Sequence, residues 1–74
     1  MEVSQELIDK IGQRIKLLRL EKGLSQLDLS TACNMEKTSI SRIEAGRTNF
    51  TIRTLFKIAK ALEIPVWELI KVEA

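Results

Sequence analysis

The sequence predicts an all-α domain of five helices, and three observations carry that reading. Apolar residues recur at spacings of three and four, the period of a helix with one buried face, and the alternation of a half-buried strand is absent. Glycine (three) and proline (one) are scarce, and Gly23, Gly46 and Pro65 punctuate the periodic segments. Short polar residues, Ser4, Ser25 and Thr51, stand where helix N-caps are wanted.

The first helix is predicted from residue 5 to about 22, with Leu7, Ile8, Ile11, Ile15 and Leu18 as its apolar stripe and Gly23 as its stop. Ser25 opens the second, Gln26 to Cys33, and Asp28 three residues on completes a capping box. Asn34, which tolerates positive φ, ends it, and Met35 turns inward. The third helix runs from residue 37 to about 45, with Ile40 and Ile43 inward, a polar first turn and Gly46 as terminator. After a loop, Thr51 caps a fourth helix to about residue 62, whose Leu55, Ile58, Ala59 and Leu62 face one side, opposite its basic residues. Pro65 suits the first turn of a last helix, residues 66 to about 71.

At 74 residues the chain has room for one small domain, 1–74, that buries only about 60% of its unfolded surface. Domains of this size lean on disulfides, a metal or a second subunit. A single cysteine, Cys33, and no histidine exclude an internal disulfide and the usual zinc sets, so Cys33 reads as a small core residue. Helix packing and dimerisation are left, and no cofactor is expected. No apolar run approaches the ~18 residues of a membrane span, and the N-terminus lacks a signal-peptide pattern, so the cytoplasm is the expected compartment. With no histidine, no glycine-rich phosphate loop and no nucleophile beside a base, an enzyme is not expected.

Twelve basic and ten acidic residues leave a net charge of only +2. The excess is local. Residues 37–60 hold Lys37, Arg42, Arg47, Arg53, Lys57 and Lys60 against the single acid Glu44, and both flanks are net acidic. Charge alone does not separate a solvated face from a polyanion-binding one.

The two short helices around Asn34 decide the matter. They form a helix-turn-helix pattern, for which Leu29, Cys33, Met35, Ile40 and Ile43 supply inward groups, and the small Ser30 sits where bulk would push the helices apart. Through Ile11-Gly-Gln-Arg-Ile-Lys-Leu-Leu-Arg, Gly23-Leu-Ser-Gln-Leu-Asp-Leu, Ser39-Ile-Ser-Arg-Ile-Glu-Ala-Gly and Thr54-Leu-Phe-Lys-Ile-Ala-Lys-Ala-Leu, the chain resembles the Cro and phage-repressor type of helix-turn-helix family, lambda-repressor-like and XRE-like. The likeness covers roughly residues 11 to 71. Asn34 stands where the family usually has Gly, Ser30 where Ala is commoner and Phe50 where Pro is frequent. Leu27, apolar at a usually polar position, is expected to be partly covered by its neighbours.

The resemblance implies that the third helix enters the major groove, with Lys37, Thr38, Ser41 and Arg42 as candidate base readers. Gln26, Ser39, Arg47 and Asn49 would bind the DNA backbone, Gln26 with help from the start of its helix. Arg19 and Glu44 resemble the family's interhelical ion pair. Trp67, Leu69, Ile70 and Val72 are candidates for the dimer interface that many members place at the C-terminus.

The function so implied is a sequence-specific transcriptional regulator, a repressor or autoregulatory controller, binding a near-palindromic operator on double-stranded DNA as a homodimer. Its two recognition helices would lie about 34 Å apart. With no residues left over for an effector domain, no small-molecule site is expected, and regulation would come through concentration, dimerisation or a protein partner such as a toxin or polymerase. Restriction-modification controllers, phage-type repressors and antitoxins fit this description, the compact length and the loop from Arg47 pointing to the controllers. The alternative is an interaction module whose main partner is another protein.

Overall fold

A computed structural model describes residues 4–73, in which α1 (Gln5–Glu21), α2 (Gln26–Cys33), α3 (Lys37–Glu44), α4 (Ile52–Ala61) and α5 (Val66–Leu69) are the regular elements. No strand occurs among the described residues. The helices form as the sequence leads one to expect. Ser4, Ser25 and Thr51 each accept a backbone N–H three residues on, and at Ser25 the Asp28 carboxylate returns a bond to the cap's own N–H, so the capping box is complete.

The helix ends share one solution. Each of the first four helices closes with a residue in the left-handed region, Gly23, Asn34, Gly46 and Glu63, at φ 72°, 56°, 72° and 58°. In each case the next residue's N–H reaches five residues back: Leu24 to Arg19, Met35 to Ser30, Arg47 to Arg42 and Ile64 to Ala59, at 2.9–3.1 Å. These Schellman closures satisfy carbonyls that the helices leave open. Glu63 was not legible as a terminator, because nothing in a glutamate signals positive φ. Pro65 caps α5 with extended ψ of 148° instead of entering its first turn, and α5 ends at Leu69, not near residue 71.

α2 packs on α3 and α4, while α1 lies against α3 and α5, and α4 against α5. Ile15, Leu29, Ile40, Ile58, Leu62 and Leu69 are fully enclosed, with Ile11, Leu18, Ile43 and Leu55 around them. Ser30 is buried between α2 and α3, and its hydroxyl donates to the Leu27 carbonyl at 2.8 Å, so no polar atom is left unpaired there. Met35 and Phe50 pack on the core from the turn and the loop. Cys33 is buried, its thiol directed at the Lys57 carbonyl 3.7 Å away, and burial pushes the thiol pKa up, which keeps it protonated and unreactive.

One close approach was not expected. A Cβ on Gly12 would overlap the carbonyl oxygen of Ile43, so α1 and α3 meet backbone to backbone. This contact sets how deeply α3 is seated.

Glu63→Gly is expected to stabilise the chain by about 0.5–1 kcal/mol. It relieves a left-handed conformation that costs a side chain about 1–2 kcal/mol and gives back part of that as unfolded-state entropy. Thermal melts would register it as a rise of about 2–8 °C in Tm.

Candidate nucleic-acid interface

α3 presents Lys37, Thr38 and Arg42 to solvent, with Ser39 and Ser41 half-buried beside them. Glu36 occupies the N-cap position of α3 without a side-chain capping bond. The helix therefore begins with backbone N–H groups that no side chain of its own has claimed. The loop after α3 returns alongside it. Arg42, Ser39, Thr48, Asn49 and Phe50 line an open cleft of about 210 Å³ together with Met35 and Ile43, which brings one candidate base reader, Arg42, beside two candidate backbone binders, Ser39 and Asn49.

Within the loop, the Asn49 side-chain oxygen accepts from Phe50 N–H at 2.8 Å, and the Thr48 hydroxyl donates to the Asn49 carbonyl at 3.1 Å. That uses the Asn49 side-chain oxygen and leaves its amide N–H donors, on an exposed residue, as the group able to meet a phosphate oxygen. Arg47 is exposed. Among the described residues, Lys10, Arg14 and Arg19 pair with carboxylates, whereas Lys37, Arg42 and Arg47 have no ion-pair partner. Arg53, Lys57 and Lys60 are exposed on α4.

Beneath this surface lies a buried charge network. Arg19 grips Glu44 with two bonds, Nε to Oε2 at 2.7 Å and an Nη to Oε1 at 3.0 Å, and its remaining Nη donates to the Leu24 carbonyl at 2.7 Å. The bond to Glu44 raises the Arg19 pKa still further, so the guanidinium is charged at any pH of interest. Gln26 Nε2 also donates to Glu44 Oε1, at 3.1 Å. A single carboxylate therefore joins the end of α1, the first residue of α2 and the last turn of α3. With its other amide N–H free, Gln26 is held at the α2 terminus beside that helix's own N–H groups.

The C-terminal candidates divide. Trp67 is 56% and Ile70 47% exposed, with Lys71 Nζ 5.9 Å from the Trp67 ring centre. Leu69 is fully enclosed in the monomer core, and Val72 is half-buried against it. Leu69 is thus withdrawn from the interface residues: a side chain that completes its own core cannot also meet a partner. Two large apolar residues that sequence reasoning passed over, Ile52 and Phe56 on α4, one turn apart, are 71% and 56% exposed. They lie outside the stripe of Leu55, Ile58, Ala59 and Leu62 that the spacing predicts, and the structure buries that stripe and leaves them out. Leu27 is 58% exposed, so its neighbours do not cover it as expected. Arg14 was also overlooked: it donates to the Glu68 carboxylate at 2.8 Å and carbonyl at 2.9 Å, pinning α5 to α1.

Two short helices joined through a left-handed Asn34, with an unpaired basic surface on the second, define a helix-turn-helix protein. Comparison with known proteins agrees. A family model described as helix-turn-helix matches residues 15–69, and the chain belongs to that family. It is 37% identical over 60 residues to the control protein C.BamHI of Bacillus amyloliquefaciens, covering 80% of this chain and 74% of that one. It is 39% identical over 56 residues to the immunity repressor protein of Bacillus phage phi105, covering 76% of this chain and 39% of the repressor. The crystal structure of the restriction-modification controller protein C.AhdI from Aeromonas hydrophila superimposes with a TM-score of 0.83 at 35% identity, covering 89% of this chain and 98% of that one. The chain spans less than two thirds of some curated relatives, 39% of the phage repressor and 62% of a hypothetical transcription factor of Neisseria meningitidis.

Two predictions arise from this site. Glu44→Ala strands a buried guanidinium and is expected to cost about 3–5 kcal/mol, against a total of roughly 4–11 kcal/mol for a chain of this length. Thermal melts should show a large loss that the double variant Arg19→Met, Glu44→Leu mostly recovers; a loss no greater than a surface substitution's would show the pair is not desolvated. The second concerns Asp28, whose carboxylate accepts the Ser25 backbone N–H at 2.9 Å. That bond, with the Ser25 hydroxyl, lowers its pKa. Its stabilisation is complete above the ordinary carboxyl value of about 4 and is lost as pH falls through the lowered one. Asp28→Asn, which does not titrate, should therefore differ most from the wild type above pH ~4 and converge with it in acid melts.

Proposed function

We propose that the chain is a cytoplasmic, sequence-specific transcriptional regulator that binds a near-palindromic operator as a homodimer, with α3 in the major groove. The observation that carries this reading is the grouping of three exposed cations, Lys37, Arg42 and Arg47, with no ion-pair partner among the described residues, on α3 and the loop that follows it. Lys37, Thr38, Ser41 and Arg42 are the base readers, Arg42 through a bidentate fork to a guanine. Gln26, Ser39, Arg47 and Asn49 hold the phosphates and set the register. No helix among the described residues is long and apolar enough to cross a membrane.

Trp67 and Ile70, with Ile52 and Phe56 on the adjoining α4, supply the dimer contact. Four large apolar side chains left in water on two neighbouring helices are what a small subunit keeps for its partner. The restriction-modification controllers among the relatives support the autoregulatory form of this reading.

Selection of bound duplexes from a random library at fixed, near-physiological salt tests it. The wild type should enrich a two-fold symmetric site with half-sites about 10 base pairs apart. Arg42→Ala should relax the preference at one position in each half-site, a loss of about 1–3 kcal/mol of discrimination there, and Ile70→Glu should yield single half-sites. Salt-sensitive binding with no enriched sequence, indifferent to Arg42, would replace this reading with that of a protein-interaction module.

A further inference from the structure

The Gly46–Arg47 peptide joins the recognition helix to the loop that carries Arg47 and Asn49, and it is fixed at both of its polar atoms. Its N–H, from Arg47, donates to the Arg42 carbonyl at 2.9 Å. Its carbonyl, from Gly46, accepts the Gln5 side-chain amide at 2.7 Å, across 41 residues of sequence. The same Gln5 nitrogen donates to Asp9 Oδ1 at 2.8 Å, so both of its N–H groups are engaged and the amide is locked between α1 and the loop. Gly46 is buried against this turn of α1, where a Cβ would overlap the Asp9 carboxylate. Beyond this peptide the loop is held by short-range bonds, Thr48 to Asn49 and Asn49 to Phe50.

We propose that Gln5 is a positioning residue for DNA binding, acting through the Gly46 carbonyl to aim Arg47 at the phosphate backbone. This rests on the regulator reading above. Gln5 and Asp9 lie upstream of the residues 15–69 that the family model matches, whereas the Gly46 carbonyl that Gln5 holds lies inside them. A peptide plane free to rotate would spread Arg47 over many directions, and each phosphate contact would first have to be ordered at an entropic cost. With the plane fixed at both ends, that ordering is already complete before DNA arrives.

The test is a double-mutant cycle on the selected operator, with Gln5→Met and Arg47→Ala alone and together, each titrated across a range of salt well below its Tm. Gln5 is exposed, so its truncation opens no cavity, and Gln5→Ala serves as a second version that keeps the result independent of the methionine. Gln5→Met is expected to weaken binding about 3- to 10-fold, equally on operator and mismatched duplexes. It should also reduce the slope of log affinity against log salt by up to about 1, the share of one phosphate contact. In the Arg47→Ala background it should have no further effect. Undiminished affinity in both Gln5 variants, or a loss that adds in full to that of Arg47→Ala, would overturn the proposal, as would an Arg47→Ala chain that binds like the wild type. A wild-type chain that binds no duplex overturns the regulator reading itself, and the clamp's role with it.

Discussion

Everything on the α3 surface depends on one buried carboxylate. Glu44 is enclosed, and its two oxygens serve three elements: Arg19 from α1, Gln26 from α2 and α3 itself. Charges in such a place are costly unless fully paired, which is why no side-chain polar atom among the described residues is left buried without a partner. An apolar trio could fill the same space with comparable stability. What it could not do is fix direction, because hydrophobic contact is non-directional while a forked guanidinium and carboxylate meet in few geometries. The angle of α3 and the reach of Gln26 are therefore set together.

Around that centre the molecule divides its surface by role. Among the described residues Lys10, Arg14 and Arg19 of α1 are paired with carboxylates, and Lys37, Arg42 and Arg47 of α3 and its loop, like Lys16 and the cations of α4, have no ion-pair partner. Large apolar residues on α4 and α5 stay in water, while Leu69 from the same short helix closes the core. α5 is only four residues long and has no side-chain cap, so its position comes from Leu69 and from the Arg14 bonds to Glu68, not from helix propensity.

Most of the fold was legible in the sequence, because its signals are local. Ser25 with Asp28, Asn34, Gly46 and the apolar spacing placed α2 and α3 within a residue of their observed bounds. What escaped was whatever depends on tertiary approach. Gly12, which the sequence shows only as one residue of the α1 motif, is the point where α1 meets α3. Glu63 takes a glycine's conformation without a glycine's signature. The inward stripe of Leu55, Ile58, Ala59 and Leu62 was legible, but that Ile52 and Phe56 outside it stay in water is seen only once α4 is packed. For the candidate site the same boundary holds: residue types on α3 were readable from the motif, whereas the clamp of Gln5 on Gly46 joins positions that no sequence pattern links.

The place of Leu69 has a consequence for how the protein is made. The core that seats α3 contains a side chain supplied four residues from the last one described, and it is fully enclosed. During synthesis from the N-terminus, α1 to α4 emerge first and hold an unfilled gap until that leucine arrives. A chain interrupted before Leu69 lacks the side chain that fills this core, and one carried past it can close.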